Sequence, residues 1–250
     1  MNNRLSVELC CGSLEDCKLA ERTGADRIEL VSAHLLGGLT PSVGLVALVK
    51  EQVSLPVSVM VRPRGAGFCY SDEDFSVMCE DARRFSRMGA DGIVFGFLTA
   101  DGRLDYERCA RFLDCTGSCE TVFHRAIDVA ENMFDAVSKL ISLGVTRVLT
   151  SGGCADALTG APAIRTIQRM YGDRIQILAG GGVRAGNILR LVEETGVSRV
   201  HLSGAAQVSD PSTLLNPALN FGSSLPPSND CYLAVDEKTI RSVMQVLGRK

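Results

Sequence analysis

The sequence predicts an α/β fold, a single (β/α)8 TIM-like barrel with a C-terminal extension, spanning residues 1–250 as one domain. Three observations lead there. Four segments share one pattern: Gly24-Ala-Asp-Arg-Ile-Glu-Leu, Gly89-Ala-Asp-Gly-Ile-Val-Phe, Gly144-Val-Thr-Arg-Val-Leu-Thr and Gly196-Val-Ser-Arg-Val-His-Leu. In each, a glycine closes a helical stretch and a small polar residue then leads into a β-branched strand. These junctions lie 65, 55 and 52 residues apart, each about twice a minimal βα unit. The strand-like runs Leu5–Leu9, Val57–Val61, Glu120–Phe123 and Ile175–Leu178 fill the gaps. Eight parallel strands joined by helical crossovers close naturally into a barrel. The competing architecture, a doubly wound open sheet, lacks its Gly-x-Gly-x-x-Gly turn after the first strand.

The connecting segments read as helices. Ser13-Leu-Glu-Asp16 and Ser71-Asp-Glu-Asp74 both have the Ser-x-x-acid form of a capping box. After the second, Phe75, Met78, Cys79, Ala82, Phe85 and Met88 recur at helical spacing, with Gly89 as the stop. The βα pattern ends near residue 206. Asn216-Pro217 and Pro226-Pro227 mark a loop-rich tail over about residues 206–234. A terminal amphipathic helix follows, with Ile240, Val243, Met244 and Leu247 on one face.

Composition narrows the class. Hydrophobic residues make up 46% of the chain, enough for a substantial core, and 26 basic against 29 acidic residues leave a net charge of −3. No basic stripe suggests a nucleic-acid partner. No apolar run approaches the ~18 residues that cross a bilayer, and no signal-peptide core follows Met1, so the expected location is cytoplasmic, or also nuclear in a eukaryote. Ten cysteines without a C-x-x-C pair are read as free thiols of a reducing compartment.

Strand alternation assigns sides. Val7 and Leu9 face the helices, so Glu8 and Cys10 face the lumen. The same phase turns Glu29, Val31, Ser58, Met60, Arg62, His201 and Ser203 inward, with Ser151 matching Ser203. Strand 5 ends in Thr121-Val122-Phe123-His124-Arg125-Ala126-Ile127-Asp128, an imidazole, a guanidinium and a carboxylate in one short run. Active sites of such barrels lie at the C-terminal strand ends. Glu8, Glu29, His124, Asp128 and His201 are the acid/base candidates there. Arg62, Arg64 and Arg125, with Ser151, Ser203 and the Gly180-Gly181-Gly182 turn, are the candidates for holding an anion. In the competing reading Glu8 and Glu29 form structural ion pairs with Arg62 and Arg27, and Cys10 and Cys11 are small core residues. His34 falls in a loop and is read as solvated. Three histidines without a His-x-His pair argue against an amidohydrolase-type zinc site.

Arg27-Ile-Glu-Leu, Gly37-Gly-Leu-Thr-Pro-Ser42, Arg62-Pro-Arg-Gly65, Tyr70-Ser-Asp72, Phe123-His-Arg-Ala126, Val148-Leu-Thr-Ser-Gly152 and Gly180-Gly-Gly together carry a family resemblance. From about residue 5 into the C-terminal helix, the chain resembles the CutC family of copper homeostasis proteins. The resemblance implies a TIM-like barrel, a cytosolic homo-oligomer and the handling of Cu(I); it supplies no reaction for the barrel mouth. Members commonly carry a cysteine at the end of strand 1 and another at the end of strand 2, the pair offered as copper ligands. Cys10 matches the first, and Val31 stands at the second. Soft Cu(I) prefers thiolate and thioether, which leaves Cys10 with Cys11 or Met60 as the ligand set. Two functions therefore compete: Cu(I) binding centred on Cys10, and a barrel enzyme acting by acid/base chemistry at the C-terminal strand ends on a small anionic molecule, a phosphorylated one among the candidates. A scaffold acting through oligomer surfaces is a third.

Overall fold

The computed structural model describes residues 4–216, 218–219 and 231–249. Eight parallel strands close into one barrel: β1 (Ser6–Cys11), β2 (Arg27–Leu30), β3 (Val57–Met60), β4 (Gly92–Phe95), β5 (Glu120–Phe123), β6 (Arg147–Thr150), β7 (Gln176–Gly180) and β8 (Arg199–Leu202). Closure comes from β1 pairing with both β2 and β8, Glu8 lying level with Arg27 on one side and His201 on the other. A helix follows each strand: α1 (Leu14–Arg22), α2 (Val43–Gln52), α3 (Asp72–Arg87), α4 (Tyr106–Leu113), α5 (Met133–Ser142), α6 (Ala161–Tyr171), α7 (Ile188–Thr195) and α8 (Glu237–Val246). The expected caps form, Ser13 Oγ accepting from Asp16 N and Ser71 Oγ from Asp74 N.

The C-terminal extension supplies the eighth helix of the ring. Between β8 and α8, an antiparallel pair, β9 (Ala205–Ser209) and β10 (Cys231–Val235), forms the two ends of the segment read as loop. Pro226 and Pro227 lie outside the described residues. Asp16 anchors this pair: its carboxylate accepts Val235 N at 2.9 Å and Gly12 N at 3.0 Å. Arg249, just past α8, reaches Asp26 at 2.8 Å. The helix is thereby tied to both ends of the barrel wall.

Two apolar shells sandwich the sheet. The outer one packs β-strand residues such as Val7, Leu9, Ile28 and Val59 against the helices. The inner one has a contributor on six strands and one just past β2: Cys10, Val31, Met60, Val94, Val122, Leu149 and Leu178. The eighth strand places His201 there instead. Beneath this layer the lumen is charged. Arg27 Nε meets Glu8 at 2.9 Å, its Nη1 meets Glu120 at 2.8 Å, and Arg147 donates to Gln176 at 3.0 Å. Burial, with Arg27 nearby, lowers Arg147 to about 10, against the pull of Glu8 and Glu120. This network plugs the N-terminal end of the barrel.

Candidate functional site

A cavity of about 560 Å³ opens at the C-terminal strand ends, within the range of small-molecule pockets. Of the sequence-derived candidates, Cys10, Glu29, Arg62, His124, Arg125, Asp128, Gly181, Gly182, His201 and Ser203 line it. Glu8, Cys11, Arg64, Ser151 and Gly180 do not. Each departure has a local cause. Cys11 follows Cys10 on an extended strand, so it points into the outer shell towards Cys17 and is withdrawn as a partner for Cys10. Arg64 is engaged outside the cavity, with Asp74 at 2.9 Å and the Cys69 carbonyl at 2.9 Å, its guanidinium over the Tyr70 ring. Glu8 has the expected facing but lies one layer deeper, bound to Arg27 and His201. Gly180 packs against Leu149 and His201, and Ser151 is buried behind Arg125.

The floor carries three donor atoms of different chemistry. The Cys10 sulfur, a Glu29 carboxylate oxygen and a His201 ring nitrogen all lie within 4.8 Å of one another. Cys10 and Glu29 are level across β1 and β2, which sets the first pair, and His201 joins from β8. His201 Nδ1 is 2.8 Å from Glu8, which fixes the ring and leaves Nε2 turned towards Glu29, 3.8 Å away. Burial alone would push the Glu8 carboxyl up, but the hydrogen bond and charge of His201, then Arg27 and Arg147, hold it below the ordinary value. Burial opposes charge on His201 too, yet Glu29 and Glu8 lift it above the ordinary imidazole value. Glu29 is raised, by burial first and by Glu8, and its Oε1 is buried without a hydrogen-bond partner. The Cys10 thiol is pushed far up by burial, with Glu29, Glu8 and Asp16 adding negative charge. It therefore stays protonated until a cation replaces the proton. One sulfur, one nitrogen and one oxygen donor fit a thiophilic metal ion better than a hard one.

His124 and its neighbours form the opposite wall. The His124 ring sits against Gly96, where a side chain would collide with it, and near Phe68, 4.8 Å between ring centres. Nδ1 accepts Ala126 N at 3.2 Å, so the ring proton resides on Nε2, which is buried and unpartnered. Burial, then the Arg62 charge, lowers this imidazole to about 3. It is a neutral imidazole that lines the cavity, with its Nε2–H sealed from solvent. Asp128 is spent on structure. Its Oδ1 accepts from Thr150 Oγ1 at 2.5 Å, Ser151 N at 3.0 Å and Gly153 N at 3.1 Å. Its Oδ2 accepts from Ser151 Oγ at 2.9 Å and Arg125 Nε at 2.8 Å. A carboxylate so saturated holds the turn after β6 in place and has no lone pair left for proton transfer, so its acid/base role is withdrawn. Arg62 likewise donates to the carbonyls of Leu36 (2.6 Å), Gly38 (3.0 Å) and Ala66 (2.9 Å), pinning the loops after β2 and β3. It makes no ion pair with Glu29; Arg27 takes Glu8.

His34 was not foreseen as a site residue. Its ring is largely enclosed: Nε2 is buried and unpartnered, and Nδ1 lies 3.8 Å from the Cys10 sulfur. Burial lowers its basicity. The available signal was position, three residues beyond Val31 on the chain leaving β2 at the mouth.

Comparison with known proteins agrees with this frame. Residues 5–206 match the model of the CutC family. A family protein CutC of Treponema denticola is 46% identical over 237 residues, covering 94% of this chain and 96% of its own. The human copper homeostasis protein cutC homolog is 39% identical over 241 residues, covering 96% and 88%. A CutC crystal structure from Streptococcus agalactiae superposes with a TM-score of 0.76 at 31% identity, covering 79% of this chain and 97% of that one. Phosphoribosylanthranilate isomerase of Pyrococcus furiosus, at 16% identity and a TM-score of 0.57, shares the barrel fold.

Proposed function

This chain belongs to the CutC family, and on that premise we propose that it is a copper homeostasis protein that binds Cu(I) at the barrel mouth, working in the cytosol as a homo-oligomer. The observation that carries the reading is the convergence of Cys10, Glu29 and His201 within 4.8 Å. Cys10 is the thiol that a soft monovalent ion needs, and His201 supplies a second donor already oriented by Glu8. Glu29 accepts the proton-side bookkeeping of the site: its raised carboxyl takes up or gives away a proton as the ion leaves or arrives. Val31, apolar at the end of β2, supplies nothing to the ion. Copper is cargo here.

The test is anaerobic Cu(I) competition against a chromophoric chelator. Cys10→Ser replaces the soft donor with a hard one at nearly constant volume, and the expected result is a loss of affinity of about 100-fold or more. Unchanged affinity would falsify the assignment.

A second reading, a barrel enzyme acting on a small anionic molecule, draws on one observation. The cavity volume of about 560 Å³ is far larger than an ion requires, with Arg125 beside Gly181 in its lining. In crystals grown with phosphate, an ordered anion between Arg125 and Gly182 supports it; a mouth holding only water sinks it.

A further inference from the structure

The copper reading leaves the ion with a single thiol, since Val31 stands where a second cysteine would complete a pair. We propose that His34 is the replacement ligand, joining Cys10 in holding the ion; this rests on the copper reading above. Both ring nitrogens of His34 are free of protein partners other than the Cys10 thiol. Nε2 is shut away from solvent with no hydrogen bond, and Nδ1 faces the Cys10 sulfur at 3.8 Å. A neutral imidazole has one lone pair, and with the proton on Nε2 that lone pair lies on Nδ1, on the side of the Cys10 sulfur.

The distance fits shared ligation. With metal–sulfur and metal–nitrogen bonds of about 2.3 and 2.0 Å, two donors on one ion stand roughly 3.5 to 4.3 Å apart as the angle opens from tetrahedral to linear. Cys10 and His34 fall inside that interval without rearrangement. His34 stands outside the tight group of Cys10, Glu29 and His201, so Cys10 is the sulfur common to two sets of donors. The first set is fixed on strands. The second rides on the 3-10 turn His34–Leu36, entered through Ala33 and left through Gly37, both left-handed with φ of 49° and 81°. A left-handed alanine is strained backbone, held because its surroundings demand it.

The opposite side of the ring makes the same point. Gly12, directly after β1, approaches so closely that a Cβ there would sit 2.7 Å from His34 Cδ2. Only glycine leaves room for the imidazole beside Cys10. The chain spends a strained alanine and a bare glycine to keep one ring against one sulfur.

The experiment uses full-length wild-type, His34→Leu and Gly12→Ala proteins, Cu(I) itself as probe, anaerobic chelator competition and X-ray absorption. His34→Leu is expected to weaken binding about tenfold or more, and to remove one nitrogen scatterer while the sulfur remains. Gly12→Ala, which displaces the ring and leaves every donor in the chain, is expected to weaken binding in the same direction. Wild-type affinity and an unchanged nitrogen count in His34→Leu overturn the assignment of His34 alone. A wild-type protein that binds no Cu(I) overturns the copper reading and this inference together.

Discussion

His124 shows how a single ring's surroundings decide what it does. Its Nδ1 is occupied as the cap of the turn Arg125–Val129, and burial beside Arg62 keeps it neutral down to about pH 3. An unfolded chain takes a proton on this ring below about pH 6.5. Across that window the unfolded state binds the extra proton, so this group's contribution to stability falls as pH falls, by up to about 1.4 kcal/mol per unit. Glu29 and His201, both raised, titrate with the opposite sign, so the comparison must be against a variant. Urea midpoints of wild type and His124→Asn between pH 4.5 and 6.5 should differ by an amount that shrinks steadily as pH falls. A constant difference would show that the imidazole takes up its proton in the fold as it does in the unfolded chain. Position and facing of this residue were legible in the sequence, because a strand ending in polar residues advertises itself. Its protonation was not: alternation turned Arg62 inward without saying which ring its charge would face, and Phe68 comes from a loop that no alternation rule places. Cys10 and Cys11 make the complementary case. Alternation separates them correctly, and the structure follows it to opposite shells of the sheet.

Among the elements, the turn His34–Leu36 and helix α2 stand out for what they leave uncovered. Leu35 and Leu36 are 59% and 54% exposed, and Val43 and Leu48 on α2 are 48% and 44% exposed. Apolar side chains this bare on consecutive elements favour burial against another molecule. The homo-oligomer proposed above would bury them. Light scattering is expected to give a mass of at least twice 26.7 kDa for the wild type, and Leu35→Lys with Leu48→Lys is expected to shift it to the monomer. A monomeric wild type ends the idea. Capped helices such as α1 and α3 were legible because Ser-x-x-acid is a local signal. The β9–β10 pair was not: its two strands lie far apart in sequence, and what fixes Val235 is a carboxylate from α1.

At the scale of the molecule, the barrel was legible because its glycine-closed junctions recur, and repetition survives ignorance of any single contact. Depth was not. A period of two tells which side of a strand a residue takes but not which layer, so Glu8 and Glu29 looked equivalent. In the fold they divide the work, Glu8 bonded to Arg27 and His201 below, Glu29 exposed to the cavity above. The same layering sets the traffic. Arginine–glutamate pairs and a ring of aliphatic side chains stopper the lower end of the lumen, so among the described residues the cavity opens at the upper end. On the copper reading proposed above, whatever delivers an ion and whatever receives it would call at that same end in turn. The protein would then serve as a berth for one caller at a time rather than as a conduit, with the loop that carries His34 at its rim.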